Sequence, residues 1–409
     1  MELPPPVSFA PSKDDFCLNT SDWWLRQLCC GEPVHDAAGL VFRSFPHLSR
    51  GNAVLKSRAA AEFTPYDGCV EAAGADLDPT LPGGPVMSSG RLELIGRCPL
   101  AFFFQRGLEI APPEELELDP ARWLDPLAYG SLLHEVFEQF VRELVEKRQL
   151  PKYPDHLTRL EAILDTRVEA YREEYPPPNE HAYQTQFAEL RRVARTFLTE
   201  DDQFCSETDS EPIYLEACLG MKTYGEGSEI DTDEPIPIRL PDGSSIRVRG
   251  RVDRVDRIGQ GAVHSYAIWD YKTGSAWRYK PSDPFRQGRV VQPALYVAMV
   301  AHRLKEAVSA KTQVVQFGFF FPGARERGRR IQWTPEQLAA GTTVLARLVD
   351  TVRTGAFPAT DQADDCNYCD YRAICGDVQG VAAASGAKLA RSDNKVLQPF
   401  RELRGYGEA

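Results

Sequence analysis

Gly250-Arg251-Val252-Asp253-Arg254-Val255-Asp256 and, beyond the turn signal Gly259-Gln260-Gly261, Ala267-Ile268-Trp269-Asp270-Tyr271-Lys272 decide how this chain reads. Both stretches are short, β-branched or aromatic and bounded by turn residues, so they read as the two strands of a hairpin. Side chains alternate faces along a strand. Asp270 and Lys272 therefore share one face, while Trp269 and Tyr271 enter the opposite layer. The turn returns Asp253 to the side of Asp270. Two close carboxylates repel unless a cation lies between them, so the pair is a natural site for a hard divalent ion. Lys272 adds a point charge that can hold a water or stabilise charge developing on a phosphate. Phosphodiester hydrolysis needs this set of groups. Seen alone, the Asp270/Lys272 spacing also fits a surface ion pair.

Further strands are expected over Ile213 to Leu219, Ile246 to Ile258, Val263 to Tyr271 and Val314 to Phe321. Asp125-Pro126 is a cap followed by proline at the first helical position. It opens a helix whose apolar stripe runs through Leu133, Val136, Phe137, Phe140, Val141 and Leu144. Helical patterns also cover roughly 155–174, 181–199 and 288–305. Thr334-Pro335-Glu336-Gln337 reads as a capping box opening a helix that stops near Gly355. Residues 1–87 are rich in Pro, Gly and small residues and read as an irregular extension; residues 88–380 form the main domain, and 381–409 a weakly patterned tail. His134 lies one turn beyond Gly130 on the Asp125 helix. A glycine there costs about 1 kcal/mol relative to alanine, which makes sense if something approaches closely over it. A lone histidine is more often a buried, satisfied residue than a ligand.

The 409 residues suffice for one large domain or two ordinary ones. No apolar run is long enough to span a membrane, and no basic segment followed by an apolar one marks a secretory signal. The ten cysteines are therefore expected in a reducing cytoplasm, where pairs point to metal or buried thiols. No G-x-x-x-x-G-K-[ST] motif is present, so no P-loop motor is visible. The net charge of −12 argues against nonspecific DNA binding by the whole surface. Yet Ser244 to Gln292 holds ten Arg and Lys against four Asp. A solvated charged face would read the same way.

The order Gly130-x-x-x-His134, then Gly250-Arg-Val-Asp-Arg-Val-Asp256, then Asp270-Tyr-Lys-Thr-Gly274, then Gln292-Pro-Ala-Leu-Tyr296 resembles the RecB/AddB-type branch of the PD-(D/E)XK nucleases, over roughly Ser88 to Cys375. The resemblance implies an α/β fold with a restriction-endonuclease-like core, a mixed central sheet flanked by helices. It implies Mg²⁺ or Mn²⁺ held by His134, Asp253, Asp270 and Tyr271, Lys272 acting on the attacking water, and Gln292 and Tyr296 beside the site on one helical face. The expected activity is a DNA nuclease cutting ends or single strands in repair, recombination or defence. A DNA-end-binding scaffold with a structural metal cluster is the alternative. Phe63-Thr64-Pro65-Tyr66-Asp67-Gly68 resembles the stretch preceding the nuclease in AddB-type chains, so a helicase or ATPase would come from a partner. Arg249, Arg251, Arg254, Arg278, Lys280, Arg286 and Arg289, with Trp277 and Tyr279 among them, suit a groove that tracks the DNA backbone.

Cys366-x-x-Cys369-x5-Cys375 has no nearby histidine, which leaves a tetrahedral site one ligand short; Cys98, ahead of Pro99, is the candidate fourth. The same family includes members with one cysteine before the nuclease core and three behind it, holding a [4Fe–4S] cluster. Ligand type alone does not separate that cluster from Zn²⁺. Either would clamp the N- and C-terminal parts, offsetting a loop-closure cost on the order of 5 kcal/mol before constants.

Overall fold

The computed structural model describes residues 10–30, 36–112, 119–223, 225, 227–259 and 264–406. The chain forms two compact units, Met1–Ala60 and Ala61–Ala409. In the first, helices cover Thr20–Cys30, Ala37–Ser44 and Pro46–Ala59, where only an irregular extension was expected. The second unit carries everything discussed below.

Its centre is a five-stranded mixed sheet. The strands are β1 (Ser210–Leu219), β4 (Gly250–Ile258), β5 (Ser265–Tyr271), β6 (Gln313–Phe321) and β7 (Arg329–Trp333), in the order β1-β4-β5-β6-β7. A small antiparallel pair, β2 (Ile236–Arg239) and β3 (Ser245–Val248), stands apart. The stretch expected as one strand over Ile246 to Ile258 is thus two, broken at Arg249. Gln260, Gly261 and Val263 lie outside the described residues. β4 and β5 nevertheless pair antiparallel, with Arg254 opposite Trp269. β5 and β6 run parallel, joined through the helix Gln292–Ala307.

Two cores form, one on each face. Trp269, Tyr271 and Phe320 pack with Phe137, Phe140 and Phe197 from the helices Pro126–Glu146 and Glu180–Thr208. Ile268, Phe317 and Phe319 pack on the other side with Val291, Leu295 and Met299. Burying each such side chain contributes roughly 1.5–3 kcal/mol. Asp125 caps the Pro126–Glu146 helix as expected, its Oδ1 accepting from Leu127 N at 2.7 Å and Ala128 N at 3.0 Å. The Thr334 box behaves differently. Gln337 does accept from Thr334 N at 2.8 Å, but residues 335–340 are turns and the helix is Gly341–Arg353.

The expected boundaries at 87 and 381 do not separate compact parts. Val70 N donates to Gly355 O at 2.7 Å and Phe357 N to Gly68 O at 2.9 Å, which stitches the 61–87 segment to the end of the Gly341–Arg353 helix. The tail forms the helices Val378–Leu389 and Gln398–Arg404, and buries Leu389, Leu397 and Phe400 in the core.

Two of the expected DNA-binding arginines prove structural. Arg254 is 2% exposed and lies between Asp201, at 2.7 Å, and Asp256, at 2.6 Å. Strand alternation sends it to the face opposite Asp253. Arg289 is 4% exposed and pairs with Asp361 at 3.0 Å and Asp365 at 2.9 Å. Removing one partner of a buried ion pair strands the other's charge. Arg254→Met should therefore lower stability by about 3–5 kcal/mol. Exposed Lys280→Ala should stay within about 0.5 kcal/mol. Urea unfolding of both variants checks the assignment, and equal midpoints would refute it.

Candidate active site

At the C-terminal end of β5 lies a cleft of about 860 Å³, lined by His134, Glu216, Arg251, Asp253, Asp270, Lys272, Gln292 and Tyr296 among others. Side-chain alternation delivers Asp253 from β4 and Asp270 from β5 to the same face. Asp253 is anchored further: its Oδ2 accepts the Tyr271 N–H at 2.8 Å, taking over where main-chain pairing of the strands ends. His134 reaches the site from the helix layer over the opposite face. Its Nε2 lies 3.2 Å from the Tyr271 carbonyl oxygen and its Nδ1 3.5 Å from Asp253 Oδ2. Only the main chain of Tyr271 faces this group. Its phenol is buried in the aromatic layer, 3.5 Å from Arg254 Nη1.

Asp270 is held by two donors. Lys272 Nζ lies 2.6 Å from its Oδ2, and Gln292 Nε2 donates to its Oδ1 at 2.6 Å. Lys272 Nζ also donates to Gln292 Oε1 at 3.2 Å. Burial presses the lysine towards neutrality, but the Asp270 carboxylate outweighs it and holds the ammonium above its ordinary range. Gln292 and Tyr296 share a helical face on the cleft, as the spacing predicts. Burial, then the charge of Asp270, pushes Tyr296 up to about 12. Gly250 admits this ring closely, since a Cβ there would sit 3.0 Å from Tyr296 Cε1. At Gly130, by contrast, a Cβ would meet only Thr273 Oγ1, at 3.4 Å. Nothing in the fold itself presses on that glycine; it opens onto the cleft.

Two residues of the site escaped the sequence reading. Glu216 is the lone acid in the apolar strand Ile213 to Leu219, and that isolation was the available signal. It sits opposite Asp253 with a left-handed φ of 50°, a conformation that costs on the order of 1–3 kcal/mol for a non-glycine residue. One ligand atom each from His134, Glu216 and Asp253 lies within 4.8 Å of the others. Burial and then the Asp253 charge push Glu216 up to about 8; burial and then the Asp270 charge push Asp253 up to about 6. Arg251, 2.8 Å from Glu216, relieves part of this. Acids held together against their own repulsion, with an imidazole alongside, fit a hard divalent cation. The second missed residue is Glu93, whose Oε1 accepts from Val291 N at 3.0 Å and Gln292 N at 3.1 Å. It caps the helix that carries Gln292 and Tyr296.

Cys98, Cys366, Cys369 and Cys375 line one small cavity of about 20 Å³. Burial, then the nearby Cys369 and Cys375, push Cys98 up to about 12, although main-chain donors at Ala101 and Thr360 oppose this. Four thiols gathered from both ends of the domain, none in a disulfide, fit a thiophilic metal centre. Among the remaining expected DNA-binding residues, Arg251 lines the cleft, while Arg249, Arg278 and Lys280 are exposed and Arg286 is half-buried. Among the described residues, no helix is long and apolar enough to cross a membrane.

A family model described as the PD-(D/E)XK nuclease superfamily matches residues 86–376. Curated relatives include an ATP-dependent helicase/deoxyribonuclease subunit of Alkaliphilus oremlandii, 30% identical over 199 residues, which are 47% of this chain and 16% of the relative. The protein of the same name from Clostridium perfringens (strain SM101) is 24% identical over 268 residues, 64% of this chain and 20% of the relative. The alignments thus take in only a small part of those long proteins. The family match runs through both cleft strands, the histidine helix and all four clustered cysteines, and the chain belongs to the PD-(D/E)XK nuclease superfamily.

Proposed function

We propose that this chain is a divalent-metal-dependent DNA nuclease acting on DNA ends or single strands. The observation that carries the reading is the convergence of His134, Glu216 and Asp253 from separate parts of the sequence to within 4.8 Å, beside the Asp270–Lys272 pair. His134, Glu216, Asp253, Asp270 and the Tyr271 carbonyl are the groups we assign to Mg²⁺ or Mn²⁺. Bound there, the ion supplies Lewis acidity at a phosphate oxygen and lowers the pKa of a water. Lys272 stays charged and offers its ammonium to the water or to the charge that develops on phosphorus. Gln292 orients Asp270 and Lys272 together, because its one amide contacts both. Tyr296 remains a neutral phenol and walls the cleft.

We assign a [4Fe–4S] cluster to Cys98, Cys366, Cys369 and Cys375, with Zn²⁺ as the competing occupant. The names of the relatives support a setting in which a helicase delivers the strand, in repair or recombination. A scaffold without cutting would not need Lys272 and Gln292 poised on Asp270.

Three outcomes test this. Wild-type protein with Mg²⁺ or Mn²⁺ should digest end-labelled linear DNA, and Asp270→Ala should lose at least about 10²-fold in rate; unchanged digestion in that variant would refute the site. In metal-free protein, an acid whose folded pKa is raised loses stability as pH climbs from its unfolded value through its folded one. Glu216→Gln should therefore raise the melting temperature in EDTA near pH 8, by an amount worth roughly 1–3 kcal/mol, with a gain that fades below about pH 5. A melting temperature that falls instead would show that the charged Glu216 is stabilising. Anaerobically purified protein should carry iron and sulfide with thiolate-to-iron absorption. Cys369→Ser should lose both, whereas Cys29→Ser should keep them; zinc in place of iron would decide for the competitor.

A further inference from the structure

Beside the cysteine centre lies a second cavity of about 350 Å³, distinct from the catalytic cleft. Arg91, Arg97, Arg106 and Arg249 line it, together with Tyr368, Cys369 and Asp370. Among the described residues, no carboxylate lies at ion-pair distance from any of these four arginines. The cavity's other acid, Asp365, is already taken by Arg289 at 2.9 Å and by the Thr360 hydroxyl at 2.6 Å. Four arginines lining one space, of which Arg91 also donates to the Val86 carbonyl at 2.5 Å, are not a generic basic surface in a protein of net charge −12. Burial and then the charges of Arg106 and Arg249 make Arg91 easier to deprotonate than usual, so the cluster sits under mutual repulsion. An anion with several oxygens would relieve it, and guanidinium forks match phosphate geometry.

The cavity adjoins the cleft in two ways. Ser88 and Gly90 line it, while Ser89 between them lies near enough to Tyr296, which walls the cleft, to ease the upward push on its phenol. Arg249 faces the cavity and Arg251, two residues on, faces the cleft. On its outer side stands Tyr368, 85% exposed, in the loop between Cys366 and Cys369. Arg278 lies 6.0 Å from that ring and 5.4 Å from Trp277, which is 58% exposed. Exposed aromatic faces interleaved with arginine suit bases that are not paired, because a duplex hides the base faces.

We propose that Arg91, Arg97, Arg106 and Arg249, with Tyr368 as a stacking platform, form a binding site for the backbone and bases of an unpaired DNA strand whose scissile phosphate lies in the cleft. The proposal rests on the nuclease reading and extends it. It makes the cysteine loop part of the DNA-binding surface as well as a clamp.

The test is fluorescence anisotropy with a labelled single-stranded oligo-dT of about 20 nucleotides, longer than one such site, using protein inactivated by Asp270→Ala. Arg97→Ala with Arg106→Ala should weaken binding about 10-fold or more and reduce the slope of log K against log salt by about 1.4, the share of two phosphates. Tyr368→Ala should weaken binding several-fold, and Tyr368→Phe should restore it. In otherwise wild-type protein, the double arginine variant should raise KM more for the long oligonucleotide than for one of about 4 nucleotides. Unchanged affinity and salt slope would overturn the proposal. So would an equal KM increase on both lengths, or duplex DNA of the same length showing the same losses in the variants. If the arginine and tyrosine effects on binding hold but wild type cuts nothing with either metal, the site stands and the nuclease reading falls.

Discussion

The register of β4 on β5 is the constraint on which the rest depends. Arg254 lies opposite Trp269, and one step further the Asp253 carboxylate accepts the Tyr271 N–H in place of a main-chain partner. That single bond fixes Asp253 next to Asp270 and turns the Tyr271 carbonyl towards His134. A slip of one residue would carry Asp270 and Lys272 into the aromatic layer and Trp269 and Tyr271 into the cleft. The slip is opposed from behind. Trp269 lies so close over β6 that a Cβ on Gly318 would come within 2.2 Å of its ring. Tyr271 stands edge-on to Phe137 and Phe197. Arg254, buried between two aspartates, pins the neighbouring strand β4 from the same side.

The site is held at an energetic cost that this framework offsets. Glu216 is strained in its backbone and, with Asp253, is buried against like charge. None of this helps the fold. It persists because the strands on either side are locked by aromatic packing and by a charge-balanced network of Arg254, Arg330, Asp201 and Asp256. Glu93 plays a comparable part on the other wall. Burial favours its neutral form, and the two amide hydrogens of the Gln292 helix favour the charged one. The helix end that presents Gln292 to Asp270 is thereby fixed by a residue some 200 positions away.

Much of this was legible in the sequence, and the limits have physical causes. Alternation placed Asp270, Lys272, Trp269 and Tyr271, because period two is a property of the strand itself. The Asp125 cap was legible because its partners are two and three residues away. Counting charge between Ser244 and Gln292 failed for Arg254 and Arg289, because Asp201, Asp361 and Asp365, which bury them in ion pairs, lie 53 to 76 residues off; the near partner of Arg254, Asp256, is two residues on, but that spacing does not reveal burial. Glu216 was missed because its role depends on a left-handed residue inside a strand, which alternation does not foresee. The tail looked weakly patterned because its helices are short, the first rich in alanine and the second only seven residues long. Its burial comes from Leu389, Leu397 and Phe400 meeting a core built elsewhere.

The cysteine loop shows what the remaining piece of the fold requires. From Ala363 to Cys375 the chain makes short helical turns, and only Tyr371 among its apolar residues is buried. So little buried surface cannot order thirteen residues against their conformational entropy. The base of the loop is held by ion pairs from Arg289 and Arg404 to Asp361 and from Arg289 to Asp365. Beyond that base, Tyr371 anchors the loop, its hydroxyl donating to the Ile110 carbonyl at 2.9 Å and its ring edge-on to Phe104, and on our reading a group joining the three cysteines to Cys98 does the rest. On our reading, the group that joins them also sets the wall of the arginine cavity and the position of Tyr368. Loop order and strand binding would then be one variable, because Cys98 and Cys369 line both the cysteine cavity and the arginine cavity.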